Sequence, residues 1–84
     1  DYLDALKYFY QNNIKFDLIF LDPPYDLHLI NKVLEKIDEY NLLMEDGQVI
    51  CEYLDEKIAN DNFEVIKDKI YGSKRVTIFK QKRN

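Results

Sequence analysis

The 84 residues include twelve Lys or Arg against sixteen Asp or Glu, for a formal charge of −4, and 46% are apolar. This is a globular rather than a disordered composition, of at most one domain that buries roughly 60–65% of its unfolded surface. No apolar run approaches the ~20 residues that cross a bilayer, no segment reads as a secretory leader, and one His with one Cys cannot build a zinc site unaided.

The first element expected is a helix from Asp1 to about Asn13. Leu3, Leu6 and Tyr10 fall on one stripe with Phe9 beside it, Asp1 is a candidate N-cap, and Asn12-Asn13 supplies the stop. Phe16–Leu21 (FDLIFL) then reads as a strand. Its unbroken Leu18–Leu21 run suits a strand covered on both faces, as in a parallel sheet. Asp22-Pro23-Pro24 ends it, because successive prolines cannot donate to a ladder.

A second helix is expected from about Leu27 to Tyr40. Asp26 is its candidate cap, and Ile30, Val33, Leu34 and Ile37 fall at i, i+3, i+4 and i+7. Glu45-Asp46-Gly47 reads as a turn and Gln48–Leu54 (QVICEYL) as a second strand. Asp55–Asn62 is polar and at most a short helical turn. Phe63–Ile70 and Arg75–Lys80 complete the chain as strands joined by Gly72-Ser73 in a hairpin. The helix between the first two strands predicts a parallel pair with a right-handed crossover, and the last two strands should be antiparallel. The fold class is therefore α/β. The chain begins at Asp1, its one Met is Met44, and we expect it to be part of a larger protein. Cys51 has no partner for an internal disulfide, reads as a small core residue, and suits a reducing, cytoplasmic setting.

Charge is unevenly spread. Residues 1–66 carry five basic and fifteen acidic side chains, whereas residues 67–84 carry seven basic side chains against Asp68 alone. A basic end on an acidic body can attract phosphate, the main source of nucleic-acid affinity; the plain alternative is a solvated charged tail.

The informative segment is Asp22-Pro23-Pro24-Tyr25. In an open α/β sheet, ligands bind just beyond the carboxyl ends of strands. Here that position holds a carboxylate, two prolines that fix carbonyl directions, and an aromatic ring. Two fixed acceptors suit an exocyclic amino group, and Tyr25 offers a face for base stacking, worth roughly 1–3 kcal/mol. The plain alternative is a Pro-Pro turn with a capping Asp and a core Tyr. His28 beside the motif reads as an exposed helical residue. Glu52 could approach from the neighbouring strand, or be a structural carboxylate. Tyr71, Lys74 and Arg75 cluster at the hairpin, where they either meet RNA or cap the sheet.

DLIFLDPPY resembles the fourth-strand motif of S-adenosylmethionine-dependent methyltransferases that act on amino groups of bases. With DYLDAL, EDGQVICEY and YGSKRVTIFK, the whole chain resembles the C-terminal half of RsmD-type enzymes, which methylate guanine N2 in 16S ribosomal RNA. The resemblance implies the second half of a Rossmann-like class I methyltransferase sheet. It would comprise two parallel strands plus an antiparallel hairpin and two main helices, with Arg75–Lys80 inserted between Phe63–Ile70 and Gln48–Leu54. It implies that Asp22 and the Pro23 carbonyl accept from the target amine, that Pro24 holds the loop and that Tyr25 stacks on a flipped base. It places Asp1 and the backbone of Tyr2 at the cofactor's adenine edge; Asp22 is a further candidate cofactor contact, and Glu52, Lys74 and Arg75 are candidate substrate contacts from their positions alone.

The implied cofactor is S-adenosylmethionine, and the implied partner is 16S ribosomal RNA or the small ribosomal subunit, with no membrane role. The glycine-rich loop for the cofactor's amino-acid end has no counterpart among residues 1–84, since Gly47 and Gly72 do not lie between strand and helix, so this chain alone is expected to be inactive. A bare Phe16–Leu21 edge would invite self-association. The rival readings are a DNA adenine-N6 or cytosine-N4 methyltransferase fragment and a non-enzymatic α/β interaction module.

Overall fold

The computed structural model describes residues 1–22, 27–54, 58 and 60–82. Its elements are α1 (Tyr2–Gln11), β1 (Phe16–Leu21), α2 (Leu27–Glu39), β2 (Leu43–Tyr53), β3 (Phe63–Tyr71) and β4 (Lys74–Gln81). Asp1 caps α1: its Oδ1 accepts from the backbone N–H of Leu3 at 2.7 Å and of Asp4 at 3.2 Å. Both helices stop on an asparagine in the left-handed region, Asn13 at φ 56° and Asn41 at φ 52°. In each case the next N–H reaches back to a carbonyl five residues earlier, Ile14 to Phe9 and Leu42 to Ile37. The proposed cap Asp26 lies outside the described residues.

The four strands form one sheet in the order β1-β2-β4-β3. β1 runs parallel to β2, and β4 is antiparallel to both β2 and β3. β4 therefore inserts between β2 and β3, as the resemblance implied. Gly72-Ser73 closes the hairpin between the paired Tyr71 and Lys74, with Gly72 at φ 61° in the region where a side chain is strained.

The core lies between the sheet and α2. Ile30, Leu34 and Ile37 are fully buried and Val33 nearly so, against Val49, Cys51, Tyr53, Phe63 and Phe79. Full burial of each such side chain stabilises by roughly 1.5–3 kcal/mol. Tyr2, Leu6 and Phe9 of α1 pack onto this core. Phe9 meets Phe16 edge-on at 5.0 Å, and Tyr10 stacks on Tyr40 at 4.9 Å. Those contacts put the carboxyl ends of α1 and α2 together, so both helices run antiparallel to β1.

Three expectations need correction. Among the described residues β1 is covered on one face only: Leu18 is 55% exposed and Phe20 54%. The described helices both pack on the face that holds Val49, Cys51 and Phe79, and none lies on the other. Nor is Glu45-Asp46-Gly47 a turn before the second strand. β2 starts at Leu43 and runs through it. The register jumps from Phe16↔Leu43 to Leu18↔Gln48, so β2 advances five residues where β1 advances two. The turn-like composition makes a bulge, with Asp46 at φ 64°. Gly47 closes it where a Cβ would stand 2.9 Å from the Met44 carbonyl oxygen and 3.0 Å from that of Phe16. The third correction concerns Arg75 and belongs to the site.

Candidate functional site

Asp22 is exposed and follows directly on the last registered pair of the parallel strands, Leu21↔Cys51. Glu52 is the next residue of β2 after that pair, so Asp22 and Glu52 both follow it at the carboxyl end of the parallel strands. Glu52 and its partner Val76 lie on the same face as the pair Ile50↔Ile78, opposite the buried Cys51↔Thr77. Glu52 Oε1 holds Lys74 Nζ at 3.0 Å, with the Glu52 side chain 22% exposed and that of Lys74 55%. Three expected site residues, Asp22, Glu52 and Lys74, thus gather at the carboxyl end of β1 and β2.

Arg75 does not join them. It pairs with Tyr53 on the helix-covered face, where its Nη1 donates to Asp68 Oδ2 at 2.6 Å and both side chains are about four-fifths buried. Arg75, expected as a substrate contact, instead takes the structural alternative for the hairpin cluster, because strand alternation turns it inward to a carboxylate. That carboxylate ends a directed chain. The Ile58 N–H donates to Tyr53 Oη at 3.2 Å, the Tyr53 hydroxyl donates to Thr77 Oγ1 at 2.8 Å, and the Thr77 hydroxyl donates to Asp68 Oδ1 at 2.9 Å. The chain fixes the hairpin on the core and does not face the site.

Asp1 and Tyr2 open α1 at the same end of the unit as Asp22, because α1 runs antiparallel to β1. One Asp1 oxygen is spent on the helix cap. Pro23, Pro24 and Tyr25 lie outside the described residues, as does the side chain of His28. Cys51 is fully buried, and burial pushes its thiol up to about 12, so it is a core residue without nucleophilic character at neutral pH. Among the described residues no three His, Cys, Asp or Glu side chains come together to hold a metal ion, and no helix is long and apolar enough to cross a membrane. The sequence reading passed over Lys67 and Lys69 individually. They share the open face, and the only signal was the excess of cations after residue 66.

The chain is similar to several methylases. It is 30% identical over 71 residues to an "uncharacterized methylase" of Rickettsia prowazekii (strain Madrid E), covering 82% of this chain and 30% of that protein. It is 35% identical over 69 residues to the "putative rRNA methyltransferase YlbH" of Bacillus subtilis (strain 168), covering 76% and 36%. It thus spans about a third of the length of these curated relatives.

Among solved structures, a "conserved hypothetical protein" of Streptococcus pyogenes superposes with a TM-score of 0.63 at 39% identity, over 79% of this chain and 43% of that one. A "putative methylase" of Haemophilus influenzae gives 0.65 at 27% identity, over 76% and 41%. A "putative methyltransferase" of Escherichia coli gives 0.74 over 95% and 45%, and at 16% identity it speaks for the fold alone. A family model described as "Conserved hypothetical protein 95" matches residues 1–80. The chain therefore belongs to that family and carries the α/β half-sheet of the RsmD-type methyltransferases that its sequence resembles.

Proposed function

We propose that this chain forms the target-base side of a cytoplasmic RNA methyltransferase, which moves a methyl group from S-adenosylmethionine to the exocyclic N2 amino group of a guanine in 16S ribosomal RNA. We take it to be the C-terminal part of a single catalytic domain. The observation that carries this reading is the exposed Asp22 directly after the last pair of the parallel strands, Leu21↔Cys51, with Glu52 next along β2. The name of the Bacillus subtilis relative adds rRNA as the substrate class.

An exocyclic amine is a weak nucleophile because its lone pair is delocalised into the ring. The Asp22 carboxylate, with the Pro23 carbonyl as second acceptor, takes hydrogen bonds from both amino hydrogens. That favours a pyramidal nitrogen and localises the lone pair. Pro24 holds the loop, and Tyr25 stacks on the flipped base. After transfer the amine is acidic, and Asp22 or water takes the proton. Positioning and preorganised acceptors, rather than a strong base, carry the step.

S-adenosylmethionine supplies a methyl group already activated on a sulfonium. This chain's residues fit only its adenine edge, through Asp22 and the Asp1-Tyr2 start of α1. They do not fit the methionine end. The Cβ position of Gly47 is filled by the chain's own carbonyls, and Gly72 sits at a hairpin tip with nothing within 4 Å of its Cβ position. The 84-residue chain alone is therefore expected to transfer no methyl.

The test is methyl transfer from labelled cofactor to small ribosomal subunits by the full-length protein that carries this chain, with nucleoside analysis of the product. Asp22→Ala is expected to lower kcat by about 10²–10³-fold. Label in a nucleoside other than N2-methylguanosine, or a wild-type rate for the variant, would overturn the reading.

A further inference from the structure

We propose that Lys67, Lys69 and Tyr71 of β3, with Val76 and Ile78 of β4 as floor, form a docking strip for the single-stranded RNA that flanks the target nucleotide. The proposal rests on the RNA-methyltransferase reading above and adds to it the place where the strand lies.

The placement depends on one residue. Up to Val65, which pairs with Phe79, odd-numbered residues of β3 share the helix-covered face with the buried Phe63. The register then shifts: Val65↔Phe79 is followed by Lys67↔Ile78, so Ile66 is an extra residue without a partner of its own. Beyond it the faces exchange. Lys67 opposes Ile78, Lys69 opposes Val76 and Tyr71 opposes Lys74, all on the open face, while Asp68 turns inward to Thr77. Lys67, Lys69, Tyr71, Val76 and Ile78 line a shallow groove of about 110 Å³.

The chemistry of the groove fits a single strand. Lys74 and Lys80 on the same face are matched by Glu52 at 3.0 Å and Glu64 at 3.2 Å. Lys67 and Lys69 have no carboxylate partner among the described residues. Two adjacent uncompensated ammonium groups suit successive phosphates and read no sequence. Tyr71 is 58% exposed at the end of the row nearest Glu52 and Lys74, and it offers a ring face for stacking. β3 and β1 are separated by three strand spacings, about 14 Å. The strip therefore lies beside the Asp22 end without occupying it, as a flanking segment of the substrate requires. An acidic peptide could answer the lysines, but it would make no use of the exposed ring.

The experiment is anisotropy of a labelled single-stranded RNA oligonucleotide titrated with the full-length protein at salt between about 50 and 200 mM. The variants are Lys67→Ala/Lys69→Ala, Tyr71→Ala, Tyr71→Phe and a helix-side control, Lys7→Ala/Lys32→Ala. The strip predicts that the double lysine variant shallows the log–log salt slope by about 1.4, at about 0.7 per phosphate contact on single strands. It predicts that Tyr71→Ala weakens binding about 5- to 150-fold with the slope kept, and that Tyr71→Phe binds as wild type.

An unchanged slope in the double variant, an equal loss in the helix-side control, or wild-type binding by Tyr71→Ala overturns it; the last would mark a plain anion patch. In the methyl-transfer assay the double variant should raise KM for RNA at constant kcat. RNA methylated with unaltered KM refutes the strip and leaves the enzyme reading standing. RNA that is bound through these residues but never methylated refutes the enzyme reading instead.

Discussion

Replacing Thr77 by Val tests whether the buried hydroxyl chain fixes the β3–β4 hairpin to the core. Thr77 is fully buried, and Val keeps its shape while removing the hydroxyl. Two hydrogen bonds are lost, from Tyr53 at 2.8 Å and to Asp68 at 2.9 Å. The second goes to a carboxylate and contributes about 1.5–3 kcal/mol, and the stranded Tyr53 hydroxyl, on a side chain almost wholly buried, adds roughly 1–3 kcal/mol. Partial relaxation brings the expected loss to about 3 kcal/mol. A chain of this length has roughly 4–13 kcal/mol of stability in all, so the midpoint of urea unfolding should fall sharply. Thr77→Ser keeps the hydroxyl and loses one methyl, and should cost only about 1 kcal/mol. Tyr53→Phe added to Thr77→Val should cost less than the two separate losses combined, because they share one bond. A Thr77→Val variant no more destabilised than Thr77→Ser would refute the role of the buried hydroxyl chain.

Gly47→Ala places a Cβ against the Met44 and Phe16 carbonyl oxygens; by urea unfolding it should cost about 1–3 kcal/mol, the range for forced overpacking, and a neutral result would mean that the bulge yields freely. For Cys51, burial raises the folded thiol from 9.0 to about 12, so its stabilising contribution is complete below about pH 9 and declines as pH rises toward 12, by up to about 1.4 kcal/mol per unit. Cys51→Ala should flatten the stability profile in that alkaline window, and equal slopes for the two proteins would contradict the assignment. β1 is a sheet edge with Leu18 and Phe20 more than half exposed, so sedimentation velocity on the 84-residue chain should show concentration-dependent association, which Phe20→Lys abolishes; a monomer at every concentration argues against it.

Much of the fold was legible because the sequence punctuates it strongly. The Asn pair after Tyr10 and Gln11, the i, i+3, i+4, i+7 stripe of α2 and the Gly72-Ser73 dipeptide each admit one local structure, and β1 was bounded at Phe16 and Leu21 as found. The two bulges were not legible. Glu45-Asp46-Gly47 has the composition of a turn, and composition does not say whether pairing resumes on the same strand. At Val65-Ile66 two apolar residues stand side by side, so either could face the core and the pattern fits two registers. Arg75 was misplaced for a related reason: which face a hairpin cation takes depends on pairing across β4, not on its neighbours in sequence. Of the candidate site, Asp22 and Glu52 were proposed from their positions at strand ends, a rule of α/β topology that needs no side-chain geometry, and Lys74 from the hairpin cluster. The cations that extend the site sideways needed the register.

Charge settles which of the two β3 registers is adopted. Without the extra residue at Ile66, Lys67 would oppose Thr77 on the helix-covered face, an ammonium forced toward the fully buried Thr77. Asp68 would oppose Val76 on the open face, and Arg75 would lose its carboxylate while staying four-fifths buried. Leaving even one such charge unpaired costs several kcal/mol. The bulge gives up one ladder pairing, worth about 1 kcal/mol. The bulged register therefore wins on stability alone. Its by-product is the row of lysines, without a carboxylate partner among the described residues, on the open face that also holds Glu52, so the electrostatics that seat the hairpin also orient the surface proposed to meet RNA.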